Sequence, residues 1–245
     1  ALAAVLAIGL PAAGAAELRV LSGGAIEPGL HPALAAFETA TGHHVALSFA
    51  TAPQIRERIA AGAAFDVVIA PPAILDDLEA ATKIANDRAQ RVTIGRVGLG
   101  VAVRPGAPRP DIATPESFKR ALVEADSLVF NRASTGLYVE TLLKRLGVEA
   151  QAKSTRYPDG ASVMAHVLRS QGREIGLGAV TEILLVRDQG LQFVGPLPAE
   201  LQNYTSYVAA PVRADAAEPA RALLRHLASA PAQAMFVAAG IEAAR

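Results

Sequence analysis

The sequence contains no cysteine and no tryptophan, and aromatic residues make up only 4% of its 245 residues. Without cysteine there is no thiol nucleophile, no redox dithiol and no cysteine-ligated zinc. The compartment stays open, because oxidising surroundings permit disulfides without requiring them. An excess of one charge sign is also missing, with 23 Lys and Arg against 23 Asp and Glu. A nucleic-acid partner would call for a basic balance, so none is expected. The chain carries no phosphate-binding loop, dinucleotide loop, nucleophile elbow or H-E-x-x-H pair. Residues 95–100 (GRVGLG) are glycine-rich, but the spacing is wrong and the run reads as strand. Of the five histidines only His43 and His44 are neighbours, and neighbours on a strand point to opposite faces. No metal, no cofactor and no catalytic constellation is therefore expected. The carboxylates Asp76, Asp77 and Glu79 read as the polar side of a helix.

What the chain does have is a globular balance of 51% hydrophobic and 19% charged residues, over a length that can bury a core without disulfides or metals. Residues 1–16 (ALAAVLAIGLPAAGAA) carry no charge and end in small residues. They read as the residual end of a secretory signal peptide. The run is shorter than a membrane span and is broken by Pro11 and Gly14. The expectation is an exported, periplasmic protein that begins near Glu17.

From Glu17 onward, strand-like and helix-like segments alternate. Strands are expected at 18–21, 45–50 and 65–70, and helices at 32–41, 53–61 and 72–83. Residues 65–70 (FDVVIA) form the near-continuous apolar run of a parallel strand buried on both faces. The pattern resumes at 127–131, 135–146, 161–170 and 175–179, and helices at 219–228 and 231–239 close the chain. This alternation predicts an α/β fold with mostly parallel sheets flanked by helices. Two longer apolar strands, at 92–104 and 204–212, read as crossovers between two lobes. The expected division is lobe 1 at 17–97 plus 206–245 and lobe 2 at 98–205. An interlobe cleft is a common ligand site, and hinge closure around it a known motion.

In open α/β sheets the binding position lies beyond the carboxyl ends of the strands. Four polar loops fall there. Ser22, Gly24 and Ala25 follow the first strand, where glycines allow close approach to backbone N–H groups. Thr51 opens the second helix, whose N-terminus attracts anions. Arg132, Ser134 and Thr135 open the helix at 135–146, combining hydroxyls, backbone donors and a guanidinium that can grip a carboxylate. Tyr157 precedes the helix that begins near Ala161.

With these residues in place, the chain resembles the periplasmic molybdate-binding proteins of ABC importers, within the type II solute-binding superfamily. The resemblance spans 17–244. It is carried by Phe49, Ala50, Ile55, Ile59, Gly62 and Asp66, by the STGLYVETLLKRLGV helix and by REIGLGAVTEI. It implies a two-lobe type II periplasmic binding protein fold joined by two hinge crossovers. It also implies capture of a small oxyanion in the cleft and delivery to a membrane permease; the protein is expected to be a monomer. The family's serine after the first strand falls at Ala25, its second at Thr51 or Ala52, and its tyrosine near Ala179. The second-lobe backbone donors fall near Thr135 and Ala161. Because expected hydroxyls are missing and Arg132 is present, the favoured ligand is an organic di- or tricarboxylate. Molybdate, tungstate or a similar oxyanion is the alternative. An effector domain of a regulator or an enzyme on the same fold remain the readings of a different class. Asp159 and Tyr157 form no recognised catalytic arrangement, so a binding protein rather than an enzyme is expected.

Overall fold

The computed structural model describes residues 15–243, so the leader reading falls outside the described residues except at its last two positions. The strands run along one curled path. β1 (Glu17–Gly23) lies between β2 (His44–Ala50) and β3 (Val67–Ala70), parallel to both. β5 (Leu128–Asn131) lies likewise between β6 (Ser154–Tyr157) and β7 (Ile175–Ala179), again parallel. The two groups are joined by antiparallel pairs, each involving β4 (Val92–Val103) or β9 (Tyr204–Pro211). β9 pairs with β3 and with residues 92–98 of β4. Residues 99–103 of β4 pair instead with β7 and β8 (Gln192–Pro196). One continuous strand thus belongs to both groups and changes partners between Gly98 and Leu99.

Each group is covered by helices on both faces, which is why its strands read as unbroken apolar runs. Alternation along the strands assigns the faces. Leu18, Val20, Val67 and Ile69 pack with α1 (Glu27–Thr41), α8 (Glu218–Leu227) and α9 (Ala230–Ala238). Leu21, Val68 and Ala70 pack with Ile55 and Ile59 of α2 (Ala52–Ala60) and with Leu75 and Leu78 of α3 (Pro72–Ala80). In the other group, Val101, Val103, Leu128 and Phe130 face α4 (Pro115–Glu124) and α5 (Ser134–Leu146). Ala102 and Val129 face α6 (Gly160–Arg169) and α7 (Val180–Leu185).

Two elements differ from the sequence expectation. The first helix starts at Glu27, five residues before the expected Pro32, which lies inside it. Pro28 occupies the first turn, where a missing N–H costs nothing, and the loss of one bond at Pro32 is offset by burial of Gly29 and Leu30 against the core. β6 had no expected counterpart. Its residues Ser154, Thr155 and Arg156 are exposed at the sheet edge and show no apolar alternation.

Gly95 sits where the register of β4 against β9 shifts, with φ of 150°. A Cβ there would lie 2.6 Å from the Glu242 carbonyl oxygen. Beside it, Arg96 and Glu242 exchange backbone hydrogen bonds of 2.7 and 2.9 Å. Gly95→Ala is expected to destabilise the fold by roughly 1–3 kcal/mol, measured as a lowered denaturation midpoint. An unchanged midpoint would mean that the bulge relaxes freely.

Candidate functional site

The carboxyl ends of β1, β2 and β5 and the loop after β6 border a cleft of about 450 Å³. Gly23, Gly24, Ala25, Glu27, Phe49, Thr51, Ala52 and Tyr207 line one side, and Asn131, Ser134, Thr135, Asp159, Gly160, Ala161, Met164 and Glu182 line the other. N-terminal residues of α1, α2, α5 and α6 are thus all at its wall, and first-turn N–H groups, which lack partners within the helix, favour negative charge where no cap takes them.

Local chemistry fixes each of these helix starts. The Thr51 N–H donates to the Gln54 Oε1 at 3.0 Å, half of a capping box that opens α2. Asn131 is buried, and its Oδ1 accepts from the Ala133 and Gly136 N–H groups at 3.0 and 3.1 Å, folding the loop that opens α5. A side chain at Gly136 would collide with the Asn131 carbonyl. The Asp159 Oδ1 accepts from the Ser162 N–H at 2.8 Å and caps α6. On the opposite wall the Tyr207 ring lies so close to Gly23 that a Cβ there would be 2.6 Å from it. This close approach explains the first glycine of Ser22-Gly23-Gly24.

Of the residues expected from the sequence, the cleft brings together Gly24, Ala25, Thr51, Ser134, Thr135 and Ala161. Three expected ligands do not line it. Ser22 is fully buried within β1, and its hydroxyl donates to the Gly23 carbonyl at 3.1 Å. Arg132 is exposed: Asn131 turns inward, so its neighbour turns out. The Tyr157 hydroxyl is hydrogen-bonded to His166 Nδ1 at 2.6 Å, and His166 Nε2 reaches the Glu174 Oε2 at 2.7 Å. No Lys, Arg or His lines the cleft among the described residues.

The sequence reading missed Glu182. It is the third residue of α7, and an acid in a helix's first turn is an ordinary feature. Its Oε2 is buried without a hydrogen-bond partner, and a Cβ on Gly160 would collide with its carboxyl. Burial, reinforced by the negative charges of Asp159 and Glu27, pushes its pKa up to about 7, while the Ala179 backbone pulls the other way. Burial, with Glu182 adding to it, also pushes the Tyr207 hydroxyl up, so it stays protonated. The neighbouring Thr181 hydroxyl donates to the Ala25 carbonyl at 2.5 Å, tying α7 to the chain after β1.

The model of the bacterial extracellular solute-binding protein family matches residues 18–242. The chain belongs to this family. One relative, aconitate isomerase of a Pseudomonas species, is 34% identical over an aligned length of 236, and the match covers 92% of this chain and 87% of that protein. Among solved structures, the periplasmic molybdate-binding protein of Azotobacter vinelandii superposes with a TM-score of 0.74 at 18% identity, covering 93% of this chain and 100% of that one. PEB3 with L-phospholactate bound gives 0.72 at 12% identity, covering 93% and 100%. At these identities the structures establish the shared two-lobe fold. No described helix of this family member is long and apolar enough to cross a membrane.

The raised pKa of Glu182 sets a stability slope. As pH rises from the ordinary glutamate value of 4.5 toward about 7, the unfolded chain gives up its proton first, so folding stability falls across that window. Glu182→Gln should therefore melt several degrees above wild type at pH 8 and nearly level with it at pH 5, in ligand-free thermal melts. A variant that melts lower at pH 8 would show that the carboxylate is stabilised there.

Proposed function

We propose that this chain is an exported solute-binding protein of an ABC importer that captures a small organic di- or tricarboxylate. The observation that carries the ligand class is a cleft of about 450 Å³ holding the protonatable carboxyl of Glu182 and no cationic side chain among the described residues. A volume of this order suits a small organic ligand. Phe49, Met164, Leu168 and Leu185 offer a carbon skeleton apolar contacts, while the helix N-termini offer N–H groups to its carboxylates. Glu182 in its neutral form donates a hydrogen bond to a ligand carboxylate. The lobes are taken as 17–97 plus 206–245 and 98–205, a boundary one residue before the change of partners along β4 between Gly98 and Leu99. Closure about that point presents the loaded monomer to a membrane permease.

A second reading is favoured by the placement of Glu182 in the cleft and by the 34% identical aconitate isomerase. In this reading the chain converts an unsaturated tricarboxylate such as aconitate between isomers rather than only carrying it.

A thermal-shift series tests the ligand class, because a ligand of the native state raises the melting temperature. cis-Aconitate, trans-aconitate, citrate and malate are compared with molybdate, tungstate, sulfate and phosphate. At least one organic acid is expected to raise the midpoint by several degrees. A rise with molybdate or tungstate alone defeats the proposal.

A further inference from the structure

The cleft contains four groups able to exchange a proton, namely Glu27, Asp159, Glu182 and Tyr207; two of them have partners and a third stays in one protonation state. The Asp159 Oδ1 caps α6 through Ser162. The Glu27 Oε1 faces His31 Nε2 at 3.4 Å, one turn along α1. The Tyr207 hydroxyl is held in its protonated form by burial. Glu182 alone has a buried, unpartnered carboxylate oxygen at the cleft wall. It is also placed reproducibly. Thr181 is anchored to the Ala25 carbonyl, and the bare backbone of Gly160 leaves the carboxyl the room that a Cβ would take.

We propose that Glu182 is the proton carrier for a 1,3-proton shift in a bound unsaturated carboxylic acid, taking the proton from one allylic carbon and returning it to the other. The assignment rests on the second reading above. The Glu182 carboxylate removes a proton from the methylene between a carboxylate and a carbon–carbon double bond. The C–H electron pair spreads over the three-carbon unit, and the proton becomes the Glu182 O–H. Delivery of that proton to the far carbon moves the double bond one place and regenerates the carboxylate. No electron is gained or lost and no co-reactant is consumed. The developing negative charge falls among the first-turn N–H groups of α2, α5 and α6, which act as fixed donors. A base that titrates near neutrality is suited to both halves of the step.

The test incubates wild-type protein, Glu182→Gln and Glu182→Asp with cis-aconitate in heavy water. Proton NMR follows deuterium entry and appearance of the trans isomer, and calorimetry measures binding. Wild type is expected to exchange and isomerise, with a rate that climbs as pH passes through about 7; Glu27, Asp159 and Tyr207 are the other titratable groups facing Glu182. Glu182→Gln should still bind but lose at least about 100-fold in rate. Glu182→Asp, with its carboxyl drawn back by one methylene, should slow by at least about 10-fold. Either variant matching wild type overturns the Glu182 assignment and leaves the isomerase reading standing. Wild type that binds without exchange or isomerisation overturns both and leaves the binding proposal intact.

Discussion

Glu182 is half-buried at the cleft wall with its Oε2 shut away from water, which is costly unless the carboxyl is protonated or paired, and the cleft supplies no Lys or Arg among the described residues. That constraint organises the surrounding structure. The Thr181 hydroxyl ties α7 to Ala25, and the Tyr207 ring packs on Gly23. Gly160 gives up its side-chain space to the carboxyl. Residues from both strand groups thus enclose one titratable group. Any rearrangement that admits water between them favours the ionised form, so the protonation of Glu182 and the openness of the cleft are thermodynamically linked.

Net charge of zero and an anion-binding cleft are compatible because the positive end of the interaction comes from backbone. The N-terminal turns of α2, α5 and α6 meet at the cleft, and their partial charges belong to N–H dipoles that no residue count records. Three acidic side chains in the same cleft make it selective. A ligand must satisfy the amides while tolerating carboxyls nearby. It does so most readily by accepting a proton-bearing carboxyl as a donor.

Most of the architecture was legible because burial on two faces leaves a plain trace. FDVVIA and the alternation of strand and helix placed β3 and its neighbours, and the long runs placed β4 and β9. β6 left no trace because an edge strand with exposed Ser154, Thr155 and Arg156 has no core face to encode. The loops of the cleft were legible from their glycines, hydroxyls and positions before helices. Side-chain direction within them was not. Arg132 drew notice for its charge, yet the buried Asn131 beside it sets the loop. Tyr157 drew notice as a scarce aromatic, and its hydroxyl turned out to serve His166. Glu182 carried no local signal, since a carboxylate in a helix's first turn is ordinary and its burial depends on Gly160, Ala25 and Tyr207, all distant in sequence.

The resemblance to molybdate-binding proteins places that family's tyrosine near Ala179, and the difference at this position bears on ligand choice. Here the small Ala179 ends β7 and is buried in the core. A hydroxyl reaches the cleft instead from Tyr207 on β9. Three residues beyond Ala179, Glu182 brings a carboxyl. A neutral phenol near Ala179 would give an oxyanion one fixed donor. A carboxyl there gives a donor in one protonation state and an acceptor in the other. The shared fold is therefore compatible with different ligands, and the proposed preference for organic acids rests on the exchange of donor types around α7.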